Sequence, residues 1–313
     1  MKMIKKILFF KISFILVIIF CEIIIRMTYS FPLGMTRFDE RFGRVRNTNS
    51  RFILFNEGFG IFDFNEFGYL ETVSNKKYSD NTFKVAFLGD SFVESFQVFK
   101  RHHFLNYTEQ NLIKDSLDIK TMNFGRSGFD FLDMYGYQKE FVNMFNPNLI
   151  VYMIGDYDLI PDSNIDPLVP RPRLVNKKVV TSLNLDEQEV NKFIFYQKLL
   201  NNSVLFNLIN KCRKKIKVSS FKSIFFKSPI HSNDLVNKNE YFMKNNLDPI
   251  IFHILNDFDS TKTIIINIGE NKFPDSFLLN CKRNGIKNYN LSPILKSIKD
   301  SSQEPTYWNV TNK

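Results

Sequence analysis

Short, largely apolar runs that each end at a glycine recur along the chain after residue 80. They are FKVAFL (83–88), DIKTMNF (118–124), LIVYMI (149–154) and TIIINI (263–268). Helix-like stretches separate the first three runs, one from Phe92 to about Ser116 and one reaching about Phe145, and another leads from the fourth run to 286–291. Short buried runs that alternate with helices predict βαβ units around a parallel sheet, with right-handed crossovers.

The first apolar stretch of the chain is of a different kind. Residues 7–25 (ILFFKISFILVIIFCEIII) are interrupted only by Lys11 and Glu22. As a helix they span roughly 28 Å, about one hydrocarbon core, and the two charges lie toward the ends, where side chains can reach outward. No small residues mark a cleavage site after the run, so the sequence predicts an uncleaved membrane anchor over residues 1–26.

Charges beside this anchor favour opposite orientations. Three lysines precede the apolar run 7–25, and four arginines follow the anchor. They are Lys2, Lys5, Lys6, Arg37, Arg41, Arg44 and Arg46. The lysines favour an N-terminus that stays inside, and a long domain is translocated largely regardless of its own charge. We therefore expect a single-pass anchor with a periplasmic or extracellular body.

Two further intervals do not follow the alternation of runs and helices. Residues 27–80 are rich in Phe, Gly, Asn and Arg without a sustained helical period, which predicts an edge or linker segment of short strands and loops. The interval of about 160–260 has prolines at 161, 167, 170 and 172, which predicts an insertion or cap over the carboxyl edge of the sheet. The remaining domain, 81–313, is α/β and carries this insertion.

Composition and charge exclude several functional classes. An apolar content of 44% is ample for a core and excludes a disordered chain. Of the net charge of +10, residues 1–26 hold +4, and the +6 left for the body is too small to indicate nucleic acid binding. Cys21, Cys212 and Cys281 form no CxxC motif, which excludes a structural zinc site or a disulfide scaffold, and no other metal or cofactor is indicated.

One basic cluster exceeds the charge of the whole body. Residues 211–227 contain seven bases, no acid and three phenylalanines. The bases are Lys211, Arg213, Lys214, Lys215, Lys217, Lys222 and Lys227, and the phenylalanines are Phe221, Phe225 and Phe226. This pattern fits contact with anionic lipid or an acidic glycan, and it equally fits a solvated helix and loop surface.

Polar motifs follow the first three runs. They are Gly89-Asp90-Ser91, Asn123-Phe124-Gly125-Arg126-Ser127-Gly128 and Gly155-Asp156-Tyr157-Asp158. Their order and spacing resemble the SGNH/GDSL hydrolase family, and the upstream Asn65–Tyr69 (NEFGY) is similar to an edge segment of membrane-anchored relatives. The resemblance covers roughly residues 60–313. It implies a flavodoxin-like, three-layer αβα fold with a parallel sheet. It also implies an enzyme that cleaves or transfers acyl esters.

The resemblance also implies roles for individual residues. Ser91 takes the nucleophile position at a strand-to-helix turn, and the amides of Ser91 and Gly125 would form part of an oxyanion hole. Each has a structural alternative, which is a helix N-cap for Ser91 and tight-turn geometry for Gly125.

The third and last motif blocks depart from the family pattern. The family's third block is usually G-x-N-D, and its Asn, a donor to the oxyanion, is matched here by Tyr157, or by Asp156 if the loop is one residue shorter. In the family's last block, D-x-x-H, Glu304 falls on the Asp and Tyr307 on the catalytic His. A protonated Tyr is a poor general base, so Ser91 would lack its activator.

The histidines of the chain do not replace the missing base. His102 and His103 are predicted on the same helix as Ser91, about 16 Å along its axis. His231 and His253 fall in the insertion, where nothing in the sequence directs them to the site.

These observations predict a membrane-anchored SGNH-like hydrolase or O-acyltransferase that acts on an acylated cell-surface glycan or lipid and is catalytically impaired. One alternative is a non-catalytic binding or scaffold protein with the same fold. The other is a truncated gene product, since relatives usually continue past the position of Lys313 into a final helix. The acyl group, its acceptor and the oligomeric state are not encoded in any recognisable motif.

Overall fold

A computed structural model describes residues 2–28, 35–54, 60–70, 78–79, 81–96, 98–160, 166–183, 187–210 and 247–302. The helices are α1 (Lys2–Thr28), α2 (Ser91–Glu94), α3 (Phe104–Lys114), α4 (Phe131–Glu140), α5 (Glu187–Asn202), α6 (Pro249–Asp257), α7 (Asp275–Arg283) and α8 (Ser292–Ser302). Residues 204–210 are also helical, and Lys100–His102 and Val142–Phe145 form 3₁₀ turns. The strands are β1 (Thr36–Asp39), β2 (Gly43–Arg46), β3 (Ser50–Leu54), β4 (Gly60–Phe64), β5 (Phe83–Leu88), β6 (Ile119–Asn123), β7 (Leu149–Ile154), β8 (Arg171–Val175), β9 (Lys178–Ser182), β10 (Thr263–Asn267) and β11 (Lys287–Asn290).

A five-stranded parallel sheet forms the centre of the domain. Its strand order is β11-β10-β7-β5-β6, and every neighbouring pair is parallel. Four of these strands are the apolar runs read from the sequence. The fifth, β11, lies within the segment 286–291, to which the last predicted helix leads. The prediction of an α/β domain with a parallel sheet is therefore confirmed.

Side chains of β5 alternate between two hydrophobic clusters. Ala86 and Leu88 pack in the larger cluster, which includes residues of α4, α6 and α7. Val85 and Phe87 pack in the other, with Leu105 of α3. Because both faces are covered by helices, the strand reads as a continuous apolar run rather than an alternating one.

Helix α1 stands apart from this core. Its stretch Lys5–Met27 has a mean hydropathy of 2.7, and none of its most apolar window is buried in the protein. By length and composition it can cross a membrane, as the sequence predicts.

The segment that precedes β5 forms two antiparallel hairpins, β1–β2 and β3–β4. A bridge between Leu70 and Asn123 joins this segment to the edge strand β6. The amide of Arg44 also donates to the carbonyl of Leu168 at 2.7 Å, which ties β2 to the insertion. The upstream segment is thus an edge structure of short strands, in agreement with its composition.

The single helix predicted from Phe92 to about Ser116 is wrong. Helix α2 ends at Glu94, Ser95 is left-handed with φ of 50°, and α3 begins only at Phe104. The break lets Phe96 reach the upstream hairpin, where its ring lies 4.7 Å from that of Phe62 and 5.8 Å from that of Phe52. Burial of this aromatic side chain outweighs continuation of the helix.

The expected cap over the carboxyl edge is not seen in the described part of the insertion. The β8–β9 hairpin packs on α4, where a Cβ on Gly136 would overlap the carbonyl of Pro170. Helix α6, inside the interval assigned to the insertion, belongs to the core, because Ile251, Ile254 and Leu255 are fully buried. It leads into β10 and completes the crossover from β7.

Candidate functional site

The three sequence motifs meet at one edge of the sheet. Ser91, Gly125 and Gly155 directly follow the carboxyl ends of β5, β6 and β7, three adjacent parallel strands with β5 in the middle. Their predicted placement at this edge is confirmed. Ser91 therefore stands between the other two loops.

The turn at Ser91 is capped by its neighbour. The Asp90 carboxylate accepts a hydrogen bond from the amide of Phe92 at 2.9 Å and is the N-cap of α2. Ser91 is the first helical residue and is partly buried, and its hydroxyl makes no hydrogen bond to any residue in the described ranges. The N-cap alternative for Ser91 is thus wrong, since Asp90 performs that task.

The loop after β6 packs directly on the backbone of α2. A Cβ on Gly125 would overlap the amide of Glu94, so only glycine permits this approach. The Asn123 side chain joins the two segments, because its Nδ2 donates to the carbonyl of Val93 and its Oδ1 accepts from the amide of Gly125, both at 2.8 Å. The Gly125 amide is therefore already engaged and does not point a free donor toward Ser91.

A buried carboxylate on α2 binds both β2 and the loop after β6. Glu94 is 1% exposed and forms an ion pair with Arg46 of β2, which is 8% exposed. The same carboxylate accepts from the Ser127 amide at 3.0 Å and from the Ser127 hydroxyl. The Arg46 guanidinium also lies over the rings of Phe64 and Phe96.

Sequence reasoning missed both partners of this ion pair. In the sequence Arg46 bears only on the orientation of the anchor, and Glu94 belongs to no motif. A buried acid three residues after Ser91 has no local signal, because its partner lies 48 positions upstream.

Asp156 connects the third loop to the fourth. Its two carboxylate oxygens accept hydrogen bonds from the amides of Glu270 and Asn271, at 2.9 and 2.8 Å. A group that accepts from two amides is not placed to donate to an oxyanion. Tyr157 is more exposed, and burial, Asp156 and Glu270 raise the pKa of its hydroxyl, which keeps it protonated and able to donate.

Two more carboxyl groups line this edge. Asp158 accepts from the amide of Gly155 at 2.7 Å, and burial together with the neighbouring Asp90 raises its pKa well above the usual value. Burial also raises the pKa of Asp90. Burial at this edge therefore favours the neutral, protonated forms of both carboxyl groups.

His103 is closer to the site than a continuous helix would allow. It is 3% exposed, its Nδ1 accepts from the amide of Leu105 at 3.2 Å, and its Nε2 lies 3.0 Å from Nδ2 of Asn123. Burial lowers the pKa of its imidazole to about 4, so the ring is neutral at pH 7. Because Nδ1 accepts, the neutral ring carries its proton on Nε2, which donates to the carbonyl of Val93. Both ring nitrogens therefore have partners other than Ser91.

The other sequence candidates lie elsewhere. His102 is exposed beside Arg101, and His253 lies on α6, which packs against α4 and α7. Glu304, Tyr307, His231 and the basic residues 211–227 lie outside the described residues. Among the residues that are described, no group of three or more His, Cys, Asp or Glu side chains is arranged to hold a metal ion.

No protein-family model and no curated protein matches the chain. Among solved structures, it is similar to a gut microbial diltiazem-metabolizing enzyme, with 11% identity and a TM-score of 0.32 over 74% of this chain. The chain spans 42% of the length of that enzyme. A likeness this distant carries no argument about function.

Replacing Arg46 by Leu should destabilise the domain by about 3–5 kcal/mol, because Glu94 would remain buried without its partner. Urea unfolding of the full chain in detergent, followed by circular dichroism, measures the effect. The matched control is Arg51→Leu, which breaks the exposed Arg51–Asp63 pair and should change stability little. Equal effects of the two substitutions would contradict the assignment.

His103 should make stability depend on pH. Its pKa is about 4 in the folded chain against about 6.5 when unfolded, so the unfolded chain binds the extra proton between these values. The contribution of His103 to the free energy of unfolding is fully present above pH ~6.5 and is lost as the pH falls toward ~4. The difference is about 3 kcal/mol. His103→Asn keeps a side-chain acceptor for the amide of Leu105 and should flatten the dependence, whereas the exposed His102→Asn should not. Superimposable pH profiles of His103→Asn and the parent chain would show this assignment to be wrong.

Proposed function

We propose that the chain is a membrane-anchored, SGNH-like protein with a flavodoxin-like, three-layer fold. Numbered along the chain, the strands of its sheet run in the order 2-1-3-4-5, the order of flavodoxin-like proteins. Helices that pack on both faces of β5 support the layered arrangement. In this fold ligands bind outside the carboxyl ends of the strands, where the three motifs meet.

The observation that carries the proposal is the setting of Ser91. Its partly buried hydroxyl has no partner among the described residues, while Asp90 takes over the helix cap and Glu94 fastens the adjacent loop. A serine hydroxyl that the fold leaves unengaged after β5, between the loops after β6 and β7, suits a nucleophile. The reaction we propose is ester hydrolysis or acyl transfer on an acylated cell-surface glycan or lipid.

The same surroundings support weak catalysis. His103 is neutral with both nitrogens engaged, the Gly125 amide donates to Asn123, and Asp156 is an acceptor. Loss of the base of a serine triad lowers the rate by about 10⁴- to 10⁶-fold.

A non-catalytic binding protein is the second candidate. It is favoured by the internal hydrogen bonds of the loops, since the Gly125 amide donates to the Asn123 side chain and the Asp156 carboxylate accepts from the loop after β10. Such loops hold a fixed surface around Ser91 without offering groups that stabilise a developing charge.

The chain should hydrolyse p-nitrophenyl acetate very poorly, with a rate only slightly above that of its Ser91→Ala variant, both measured as full chains in detergent. Tyr307→His should raise the rate by supplying an imidazole, and more so together with Tyr157→Asn, which supplies an amide donor. Each gain should disappear when Ser91→Ala is added. Robust turnover that depends on Ser91 in the unmodified chain would show that another base reaches the site.

The domain should lie outside the membrane that α1 crosses. The lysines at the N-terminal end of α1, which are Lys2, Lys5 and Lys6, favour an inside N-terminus. Protease added to intact expressing cells should digest the body while a cytoplasmic marker stays intact. Full protection of the body, under conditions that digest a known external protein, would place it on the inner side.

A further inference from the structure

Helix α1 makes specific polar contacts with the domain near its C-terminal end. Glu22 accepts hydrogen bonds from the amides of Val204 and Leu205 and from the hydroxyl of Ser203, each at 2.9 Å. Arg26 donates to the carbonyl of Asn202 at 2.7 Å and pairs with Glu22. The carboxylate of the anchor thus caps the helical residues 204–210.

These contacts explain how the apolar span accommodates the acidic side chain of Glu22. A carboxylate close to the hydrocarbon region is costly unless it is paired and hydrogen-bonded, and Glu22 has both kinds of partner. The cap also ties α5 and residues 204–210, which we call the helix pair, to the C-terminal part of α1. Ring contact between Tyr196 and Phe206, at 5.8 Å, joins the two members of the pair.

The helix pair exposes apolar side chains. No residue of α5, all of which the structure describes, is fully buried. Phe195 is 63% exposed, Ile209 is 55% exposed, and Tyr196 is partly exposed. Aromatic and aliphatic side chains of this kind are typical of surface helices that sit in the boundary between lipid headgroups and acyl chains.

The positive charge that suits an anionic surface follows the helix pair in the sequence. On the helix pair itself Lys198 is exposed, whereas Lys192 pairs with Glu189 and Arg26 of α1 pairs with Glu22. The sequence then continues from Ile209 into residues 211–227, with seven bases and no acid. Bases beside a membrane-spanning segment attract anionic lipid headgroups.

We propose that the helix pair lies on the membrane surface beside α1, with Phe195 and Ile209 in the headgroup–acyl boundary of a bilayer that contains anionic lipid. Continuity with α1 through Glu22 selects the bilayer as the occupant of this face. The proposal goes beyond the ester chemistry of Ser91 and requires only that α1 crosses the membrane.

The experiment uses the full chain in phosphatidylcholine nanodiscs, with and without phosphatidylglycerol. Its native cysteines are replaced (Cys21→Ser, Cys212→Ser, Cys281→Ala), and an environment-sensitive fluorophore is attached to one new cysteine at a time. Phe195→Cys and Ile209→Cys test the helix pair, and Ile15→Cys reports insertion of α1. Leu279→Cys on α7 is the matched control, because Leu279 is 49% exposed on a helix that packs on the core.

Labels at 195 and 209 should be quenched by lipids that carry a nitroxide near the headgroup, and the label at 279 should not. The label at 15, near the middle of α1, should be quenched by lipids that carry the nitroxide deep in the acyl chain, and quenching at 15 below refers to these lipids. Quenching should weaken without phosphatidylglycerol, and equal quenching in both bilayers would overturn the part of the proposal that concerns anionic lipid. Absence of quenching at 195 and 209, with quenching at 15, would overturn the membrane contact and point to coverage by protein. Absence at 15 as well would show that α1 does not insert, and the proposal would fall for that separate reason.

A second variant tests the cap itself. Glu22→Gln removes the charge that holds Ser203–Leu205, so quenching at 195 should fall while quenching at 15 persists. Glu189→Gln, at an exposed site on α5, is the control and should leave both signals unchanged. Unchanged quenching at 195 in Glu22→Gln would overturn the role of Glu22.

Discussion

The buried carboxylate of Glu94 is the constraint on which the candidate site depends. A charge in the interior is tolerated only when an opposite charge and hydrogen-bond donors surround it. Arg46 from the upstream hairpin and Ser127 from the loop after β6 meet this need. Because Glu94 ends the helix that begins at Ser91, satisfying one carboxylate fixes three segments around the serine.

Close backbone packing adds a second constraint at the same place. A Cβ on Gly89 would overlap the side chain of Val93, and one on Gly125 would overlap the backbone of α2. These glycines stand in the motifs that resemble the SGNH/GDSL family, yet their contacts are those of a tight junction between β5, α2 and the loop after β6. The structural explanation for Gly125 therefore holds whether or not Ser91 reacts.

Sequence patterns predicted the sheet well because each strand is a local, buried run closed by a turn. Four of its strands and the placement of Ser91, Gly125 and Gly155 follow from this rule alone. The break after Glu94 was not predictable in the same way, since it depends on the ring of Phe96 reaching Phe62 in another hairpin. Pairing of Arg46 with Glu94, and the position of His103 beside Asn123, likewise depend on tertiary contacts that no local pattern reports.

A series of contacts leads from the anchor to the site. Glu22 caps residues 204–210, and α5 reaches the upstream hairpin through Phe193, which lies 4.8 Å under the guanidinium of Arg44, and through the hydrogen bond of Gln197 to Thr36. From β2, Arg46 continues to Glu94 and hence to the Ser91 turn. An anchor joined only by a flexible linker would leave the orientation of the domain free. Here packed side chains connect α1 to the domain, so the direction of the carboxyl edge of the sheet relative to the end of α1 depends on these contacts.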